Sequence, residues 1–284
     1  MKYNNIEVER RSPHLGAFIG GVDLSKGLND EEINEVRQAL LEFSVIFFRD
    51  QSITSEQQLR LAAQFGEIDN PHPVFDNDER DARLTIIESK GRAHDSEHYW
   101  HTDVTYQEAP SMGSILAAKI IPESGGDTLF ASLYAAYDTL SSPIKRMCEE
   151  LTAQHSFERG WGTTFRMLDG GEDRLHELKK IFPLMTHPVL RTHPETGRTA
   201  LYVNEYYTSR INDVSEAESD ALLKLLHHHA QLPDFQIRHC WRVGDVAFWD
   251  NRCTQHYASN DYGATHRLMN RVTLVGDKPF FRKL

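Results

Sequence analysis

Short segments rich in β-branched and aromatic residues recur along the chain, and turn sequences such as HPETGR and SGGD separate them. The clearest segments are SILAAKII at 114–121, TALYVN at 199–204, DVAFWDN at 245–251 and RLMNRVTLVGD at 267–277. They lack the regular alternation of strands and helices from which parallel sheets are built. The pattern therefore predicts a mainly β fold with inserted helices, arranged as an antiparallel sandwich or barrel.

Helix signals are fewer but clear. A helix is predicted from Asn29, where the N-cap residue is followed by a glutamate three positions later, and a second one from Thr54 or Ser55 to Gly66. Two further helices are predicted between 132 and 151, and a last one begins at Ser215. The chain has no internal repeat or Pro/Ser-rich linker, so we expect one domain over residues 1–284.

Composition narrows the classes of function. The formal net charge of -11 and the lack of a lysine- or arginine-rich run argue against a nucleic-acid partner. No stretch approaches the roughly 20 apolar residues that span a bilayer, so no membrane partner is expected. Cys148, Cys240 and Cys253 form no CxxC pair, which fits a reducing, cytoplasmic environment. Small-molecule chemistry is the better expectation, and a homo-oligomer stays open.

The segment HYWHTDVTY, residues 98–106, suggests half of a metal site. In an extended backbone His101 and Asp103 project to the same side, because side chains alternate between the two faces. His256, which follows the strand-like segment at 245–251, would supply a second imidazole. Two histidines and one carboxylate leave coordination positions open, as in non-haem Fe(II) oxygenases. Among fifteen histidines a chance pairing is an equal alternative.

Two arginines near the end of the chain suggest an anion site. Arg267 and Arg271 are four residues apart, so in a strand both lie on one face with their Cα atoms about 13 Å apart. Flexible guanidinium arms could converge on the two ends of a short dicarboxylate. The alternative is a pair of surface arginines on an exposed strand.

The sequence resembles the taurine/2-oxoglutarate dioxygenases, within the wider group that includes the 2,4-dichlorophenoxyacetate dioxygenases. The similarity extends along nearly the whole chain, and its blocks occur in the family's order. They include GAFIGGVDLS, VIFFRDQSIT, FGEIDNPHPVF, WHTDVTY, SGGDTLFASLYAAYDTLS, HPVLRTHPETGRTALYVNE, FWDNRCTQHYA and RVTLVGDKPF. The resemblance implies a double-stranded β-helix, or jelly roll, flanked by α-helices.

The resemblance also implies cofactors and the residues that hold them. Fe(II) would be the metal, with 2-oxoglutarate and O2 as cosubstrates, and His101, Asp103 and His256 match the iron ligands. Thr128 and Arg267 match the positions that hold the distal carboxylate of 2-oxoglutarate. Arg271 matches the arginine near the C1 carboxylate and the substrate anion, and His72 matches a histidine that contacts the sulfonate of taurine.

The expected substrate pocket departs from that of the taurine enzymes. Phe75 and Glu97 correspond to the tyrosine and asparagine that contact the ammonium group of taurine, and Trp161 and Tyr207 stand where phenylalanines are usual. A carboxylate at position 97 permits an aminosulfonate and disfavours a plain anionic tail. A different alignment of the loop at 89–100 would instead leave Glu97 in solvent.

Three classes of function are therefore compared. The first is a 2-oxoglutarate-dependent dioxygenase that hydroxylates a small organic acid, such as the sulfonate taurine, with release of sulfite and an aldehyde. An aryloxy acid, a sulfate ester or a bulkier amino acid-like molecule is an alternative substrate. The second is a metal-dependent hydrolase or isomerase on the same fold, which gives Arg267 and Thr128 no role. The third is a non-catalytic binding protein on that fold, which a missing metal ligand would indicate; His101, Asp103 and His256 are all present.

Overall fold

The computed structural model describes residues 2–90 and 98–283, and within them the chain forms sixteen strands and seven α-helices. The coarse prediction of strands with inserted helices is confirmed, although helices are more extensive than a mainly β fold implies. The strands are β1 Glu7–Arg10, β2 Ala17–Gly20, β3 Val45–Phe48, β4 Asp76–Asn77, β5 Thr85–Ser89, β6 Gly113–Ile120, β7 Thr128–Ser132, β8 Thr152–His155, β9 Met185–Pro188, β10 Leu190–Thr192, β11 Thr199–Leu201, β12 Thr208–Ile211, β13 Gln236–His239, β14 Val246–Asp250, β15 Thr254–Ala258 and β16 Arg267–Leu274.

The helices begin where capping residues predict. Asn29, Thr54 and Ser215 each accept a hydrogen bond from the backbone N–H three residues later, and the residue at that position bonds back to the cap. The helices are α1 Asp30–Phe43, α2 Ser55–Ala63, α3 Leu133–Thr139, α4 Ser142–Cys148, α5 Phe157–Arg166, α6 Gly171–Ile181 and α7 Glu216–Ala230. None of these helices has the length and apolar character that crossing a membrane requires.

An eight-stranded sheet in the order β1-β2-β3-β14-β6-β16-β5-β4 forms the centre of the molecule. Its pairs are antiparallel except β2 with β3. Side chains alternate between two cores: Ile46 and Phe248 pack toward α1 and α2, whereas Phe47 and Trp249 pack on the opposite face. The sheet therefore has one face covered by helices and one face available for a site.

A three-stranded antiparallel sheet, β13-β7-β15, faces that second side. The ring of Phe130 on β7 lies 5.7 Å from Phe47 and 5.5 Å from Trp249 of the large sheet, and all three belong to one buried cluster. Sequence-distant strands are thus held face to face, and the candidate site residues on β7, β15 and β16 line the space between them.

Two smaller layers complete the fold. The pair β10-β11 packs with α3 and α7 around a third apolar core, and β12-β8-β9 forms a separate antiparallel sheet. Helices α5 and α6 enclose a fourth, aromatic core. These two helices are absent from the sequence-based prediction. In α5 the glycines at 160 and 162 weaken the helix propensity, although Phe157, Trp161 and Phe165 lie on one face at helical spacing.

Candidate metal centre and active site

His101, Asp103 and His256 come together although His101 and His256 are 155 positions apart in sequence. His256 lies on β15, and His101 pairs with it through an isolated antiparallel bridge. The His101 N–H donates to the His256 carbonyl at 2.9 Å, and the His256 N–H donates to the His101 carbonyl at 2.7 Å. Because the backbones are bonded at this point, the two imidazole rings lie side by side with centroids 4.1 Å apart.

The geometry of the three side chains fits a metal ion. Asp103 Oδ1 lies 3.9 Å from His101 Nε2 and 3.7 Å from His256 Nε2. Both separations are within the roughly 4 Å that two ligands, each about 2.0–2.2 Å from one ion, can span. All three side chains are buried, and a set of two nitrogens and one carboxylate oxygen suits a first-row transition metal such as Fe(II).

Hydrogen bonds orient the Asp103 carboxylate. Its Oδ2 accepts from Ser114 Oγ at 2.7 Å and from Asn251 Nδ2 at 3.1 Å, which leaves Oδ1 directed toward the two histidines. Asn251 is itself fixed because its Oδ1 accepts the indole N–H of Trp249 at 2.9 Å. Such supporting contacts set the orientation of a metal ligand and tune its affinity.

The electrostatic surroundings favour a charged Asp103 and a neutral His256. Burial alone raises the pKa of Asp103, but His256 and the Arg271 guanidinium outweigh it and hold that pKa well below its usual range. Burial, with the neighbouring His101 and Arg271, lowers the pKa of His256 to about 3. His101 donates its Nδ1 proton to the Tyr99 carbonyl at 2.8 Å, which fixes the ring with Nε2 on the side of Asp103. Asp103 and His256 are therefore in the protonation states that bind a metal.

One cavity lies between the two facing sheets beside this trio. Thr128 on β7 and Arg267 on β16 lie on its wall, as does Arg271, and apolar side chains separate these polar groups. The complete lining is Ile87, His101, Leu116, Thr128, Trp249, His256, Ala258, Arg267 and Arg271. The cavity thus offers cations and a hydroxyl with an apolar middle, which matches a short dicarboxylate.

A second cavity lies on the other side of the trio, under α5. It shares His101 and Arg271 with the first, and its remaining wall is largely aromatic. The complete lining is His72, Phe75, His101, Asp103, Val104, Trp161, Tyr206, Tyr207 and Arg271. Besides Arg271, five side chains are predicted to bind the substrate, and four of them meet in this cavity: His72, Phe75, Trp161 and Tyr207. Glu97, the fifth, lies outside the described residues.

The aromatic wall is tightly packed. The Phe75 and Trp161 rings are 5.4 Å apart, and the Arg271 guanidinium carbon lies 5.2 Å from the Phe75 centroid. A Cβ at Gly160 would come within 2.6 Å of the Tyr207 ring, so the absence of a side chain at 160 permits α5 to approach Tyr207 this closely. The position of Tyr207 therefore depends on this glycine.

His72 has a defined tautomer in this cavity. Its Nδ1 accepts from the backbone N–H of Val74 at 3.2 Å and of Phe75 at 3.4 Å, so the ring proton is on Nε2. Burial, followed by the charge of Arg271, lowers the pKa of His72 well below its ordinary value. His72 is therefore a neutral donor that stands near a cation, an arrangement suited to an anionic group.

A second group of possible metal ligands lies near the turn between β14 and β15. It consists of Asp250 at the end of β14, Cys253 in the turn and His193, which follows β10. Both oxygens of Asp250 are already engaged, since Arg252 bonds to each and His193 Nε2 is 3.0 Å from Oδ2. Burial raises the pKa of the Cys253 thiol far above its usual value. This group is an ionic network that stabilises the turn preceding His256, and Cys253 is buried beside it.

Several residues of the site escape sequence reasoning. Ser114 and Asn251, which orient Asp103, and Tyr206, which lines the second cavity, carry no spacing signal. Val104 adopts a left-handed backbone with φ of 47°, which is unusual for a β-branched residue and follows directly after Asp103. The side-chain amide of Asn251, beside a predicted strand end, is the one hint that the sequence offers.

The sequence profile of the family described as taurine catabolism dioxygenase TauD, TfdA family matches residues 7–273. The chain belongs to this family. It is 36% identical over 277 residues to an alkylsulfatase of Acinetobacter baylyi, covering 96% of this chain and 86% of that protein. It is also 36% identical over 281 residues to an alpha-ketoglutarate-dependent sulfate ester dioxygenase of Pseudomonas putida, covering 96% of this chain and 91% of that protein.

Solved structures agree with the TauD/TfdA assignment. A taurine dioxygenase from Burkholderia xenovorans superposes with a TM-score of 0.84 at 38% identity, covering 97% of this chain and 91% of that one. The chain is accordingly a 2-oxoglutarate-dependent dioxygenase, an enzyme that uses Fe(II) and takes 2-oxoglutarate and O2 as cosubstrates. The sequence-based prediction of this class of enzyme and of its cofactors is confirmed.

Proposed function

We propose that His101, Asp103 and His256 hold the Fe(II) and that the two cavities beside them hold 2-oxoglutarate and the substrate. The observation that carries this proposal is the position of Arg271. Its Nη1 lies 3.4 Å from Asp103 Oδ1, and its side chain lines both cavities. A single cation at their junction can contact an anionic group on either side of the metal.

The first cavity is assigned to 2-oxoglutarate. Arg267 and the Thr128 hydroxyl hold the distal carboxylate, since a guanidinium and a hydroxyl are strong donors to a charged oxygen. Arg271 lies near the C1 carboxylate, and the apolar Leu116 and Ile87 border the methylene groups. A cosubstrate held at both ends presents its keto acid group to the metal in a fixed orientation.

The second cavity is assigned to an organic sulfo compound, either a sulfate ester or a sulfonate. His72 Nε2–H and Arg271 are donors for the anionic head. The rest of the described lining is mainly apolar or aromatic: Phe75, Val104, Trp161, Tyr206 and Tyr207. Asp103 is the one acidic group among the described lining residues. Because that carboxylate is assigned to the metal, an apolar alkyl or aryl tail fits the aromatic wall better than the ammonium of taurine. The sulfate ester specificity of the Pseudomonas putida relative supports this class.

The chain's residues then have distinct tasks in the reaction. Fe(II), with 2-oxoglutarate and O2, supplies the oxidising chemistry that hydroxylates a C–H bond. His72 and Arg271 place the carbon that bears the sulfo group next to the metal, and Trp161 and Tyr207 exclude water. Hydroxylation at that carbon gives an unstable product that releases an aldehyde with sulfate or sulfite, while 2-oxoglutarate becomes succinate and CO2.

We also propose the finer description of the fold. The large sheet and β13-β7-β15 face each other across Phe47, Phe130 and Trp249, an arrangement that supports a double-stranded β-helix with α1 and α2 on its outer face. Residues from both sheets meet at the metal centre, which supports a single domain over 1–284.

A substrate panel tests the assignment. We expect substrate-dependent O2 uptake to be faster with butyl sulfate, hexyl sulfate and 1-butanesulfonate than with taurine, by about tenfold, because each buried methylene stabilises binding by about 0.8 kcal/mol. An aryloxyacetate and a plain carboxylate of equal length serve as controls for the head group. Equal rates for sulfo and carboxylate compounds would contradict the proposed class.

The predicted role of Glu97 is tested with the same panel. If this carboxylate reaches the substrate, Glu97→Gln lowers the rate with taurine and leaves the rate with butyl sulfate unchanged, because only the ammonium pairs with it. An equal response of both compounds would exclude Glu97 from the pocket.

A further inference from the structure

The hydroxyl of Thr128 receives a hydrogen bond from a residue outside the cosubstrate cavity. Trp241 follows β13, and its indole Nε1–H donates to Thr128 Oγ1 at 3.0 Å. Thr128 lines the cavity together with Arg267, whereas Trp241 does not. This hydrogen bond is therefore the polar link between Trp241 and the lining of the cavity.

The indole of Trp241 is held rigidly. It is buried, and its ring meets His239 edge to face with centroids 4.6 Å apart. His239 in turn stacks on Phe47 at 4.1 Å, and its Nε2 is 3.2 Å from Asp245 Oδ2. A donor fixed in this way costs little conformational entropy when it orients a neighbouring group.

The bond from Trp241 decides what Thr128 can offer. An indole N–H is a donor only, so Thr128 Oγ1 is the acceptor and its own hydrogen stays available for donation. In residues 2–90 and 98–283 the hydroxyl has one hydrogen-bond partner, the indole N–H of Trp241. Rotation about the C–O bond would otherwise let the hydroxyl accept or donate in several directions.

We propose that Trp241 is a positioning residue for 2-oxoglutarate, which keeps the Thr128 hydroxyl oriented as a donor to the distal carboxylate beside Arg267. This inference rests on the proposed assignment of Thr128 and Arg267 to that carboxylate. It adds a residue outside the cavity that tunes cosubstrate affinity without touching the cosubstrate, the metal or the substrate.

The experiment measures cosubstrate binding without turnover. Titration calorimetry under anaerobic conditions, with Mn(II)-loaded protein, gives the Kd for 2-oxoglutarate and for 2-oxopentanoate, which lacks the distal carboxylate. We expect Trp241→Phe to weaken 2-oxoglutarate binding about twofold to tenfold, the effect of one neutral hydrogen bond. The Kd for 2-oxopentanoate stays unchanged, because Thr128 has nothing to donate to in that complex.

A double-mutant cycle shows whether Trp241 acts through Thr128. Thr128→Val weakens 2-oxoglutarate binding about tenfold to a hundredfold, and adding Trp241→Phe to it causes no further loss. Leu15→Ala is the matched control, since Leu15 belongs to the same buried cluster but has no polar atom on its side chain. We expect this variant to unfold at lower temperature with an unchanged Kd.

Other outcomes distinguish an error in the role of Trp241 from an error in the assignment of the first cavity to 2-oxoglutarate. Fully additive losses in the cycle, or equal weakening of both keto acids by Trp241→Phe, would overturn the role of Trp241 and leave the cavity assignment intact. An unchanged Kd in Thr128→Val would overturn both. If Trp241→Phe does not fold, benzothienylalanine incorporated at 241 keeps the ring shape, removes only the N–H, and is subject to the same expectations.

Discussion

Asp103→Asn is expected to reduce Fe(II)-dependent succinate formation by more than about a hundredfold, because it removes the one anionic ligand of the proposed centre. The amide is nearly isosteric with the carboxylate and can still accept from Ser114, so we expect the fold to survive. Equilibrium dialysis with Co(II) should show one bound ion per wild-type chain and a large loss of affinity in the variant, and circular dichroism verifies folding.

The second group of metal-type side chains supplies the control for this prediction. His193→Gln alters the buried network at Asp250, which already satisfies both carboxylate oxygens with Arg252 and His193. We expect His193→Gln to lower the unfolding temperature while it retains one bound Co(II). Full metal binding by Asp103→Asn, or loss of the ion in His193→Gln alone, would place the metal elsewhere.

Arg267→Ala should raise the KM for 2-oxoglutarate about tenfold to a hundredfold, since a lost charge-assisted hydrogen bond costs about 1.5–3 kcal/mol. The KM for the sulfo substrate should change little, because Arg267 lines the first cavity and not the second. Initial rates of O2 uptake, with each compound varied in turn, measure the two constants.

A surface arginine controls for the loss of a positive charge. Arg210 on β12 bonds only to backbone carbonyls in the described structure and lines neither cavity. Arg210→Ala should leave both constants unchanged. Were Arg267→Ala to raise the two KM values equally, the assignment of the first cavity to 2-oxoglutarate would be wrong.

The sequence predicts those parts of the structure that depend on local periodicity. Strand alternation places Phe47 and Trp249 on the face opposite to Phe248, and the spacing of Arg267 and Arg271 places both on the cavity side of β16. The capping boxes at Asn29, Thr54 and Ser215 locate three helix starts. These features arise from contacts within a few residues, and so they can be read without tertiary information.

The remaining features depend on contacts between distant segments. No local pattern predicts that Asn251 and Ser114 would orient Asp103, or that Trp241 would meet Thr128 across 113 residues. Helix α5 escapes prediction because its glycines weaken the helix propensity, yet Gly160 permits the close approach to Tyr207. Supporting residues of the site are therefore the least predictable part of it.

The most direct test of the whole account is the stoichiometry of turnover with butyl sulfate. Sulfate, succinate and consumed O2 are measured together in the presence of Fe(II) and 2-oxoglutarate, and again without O2. The account predicts equal amounts of all three, with no sulfate released anaerobically. Sulfate release without succinate or O2 consumption would show a metal-dependent hydrolase, and would contradict the proposal that the metal centre couples oxidation of 2-oxoglutarate to hydroxylation of the substrate.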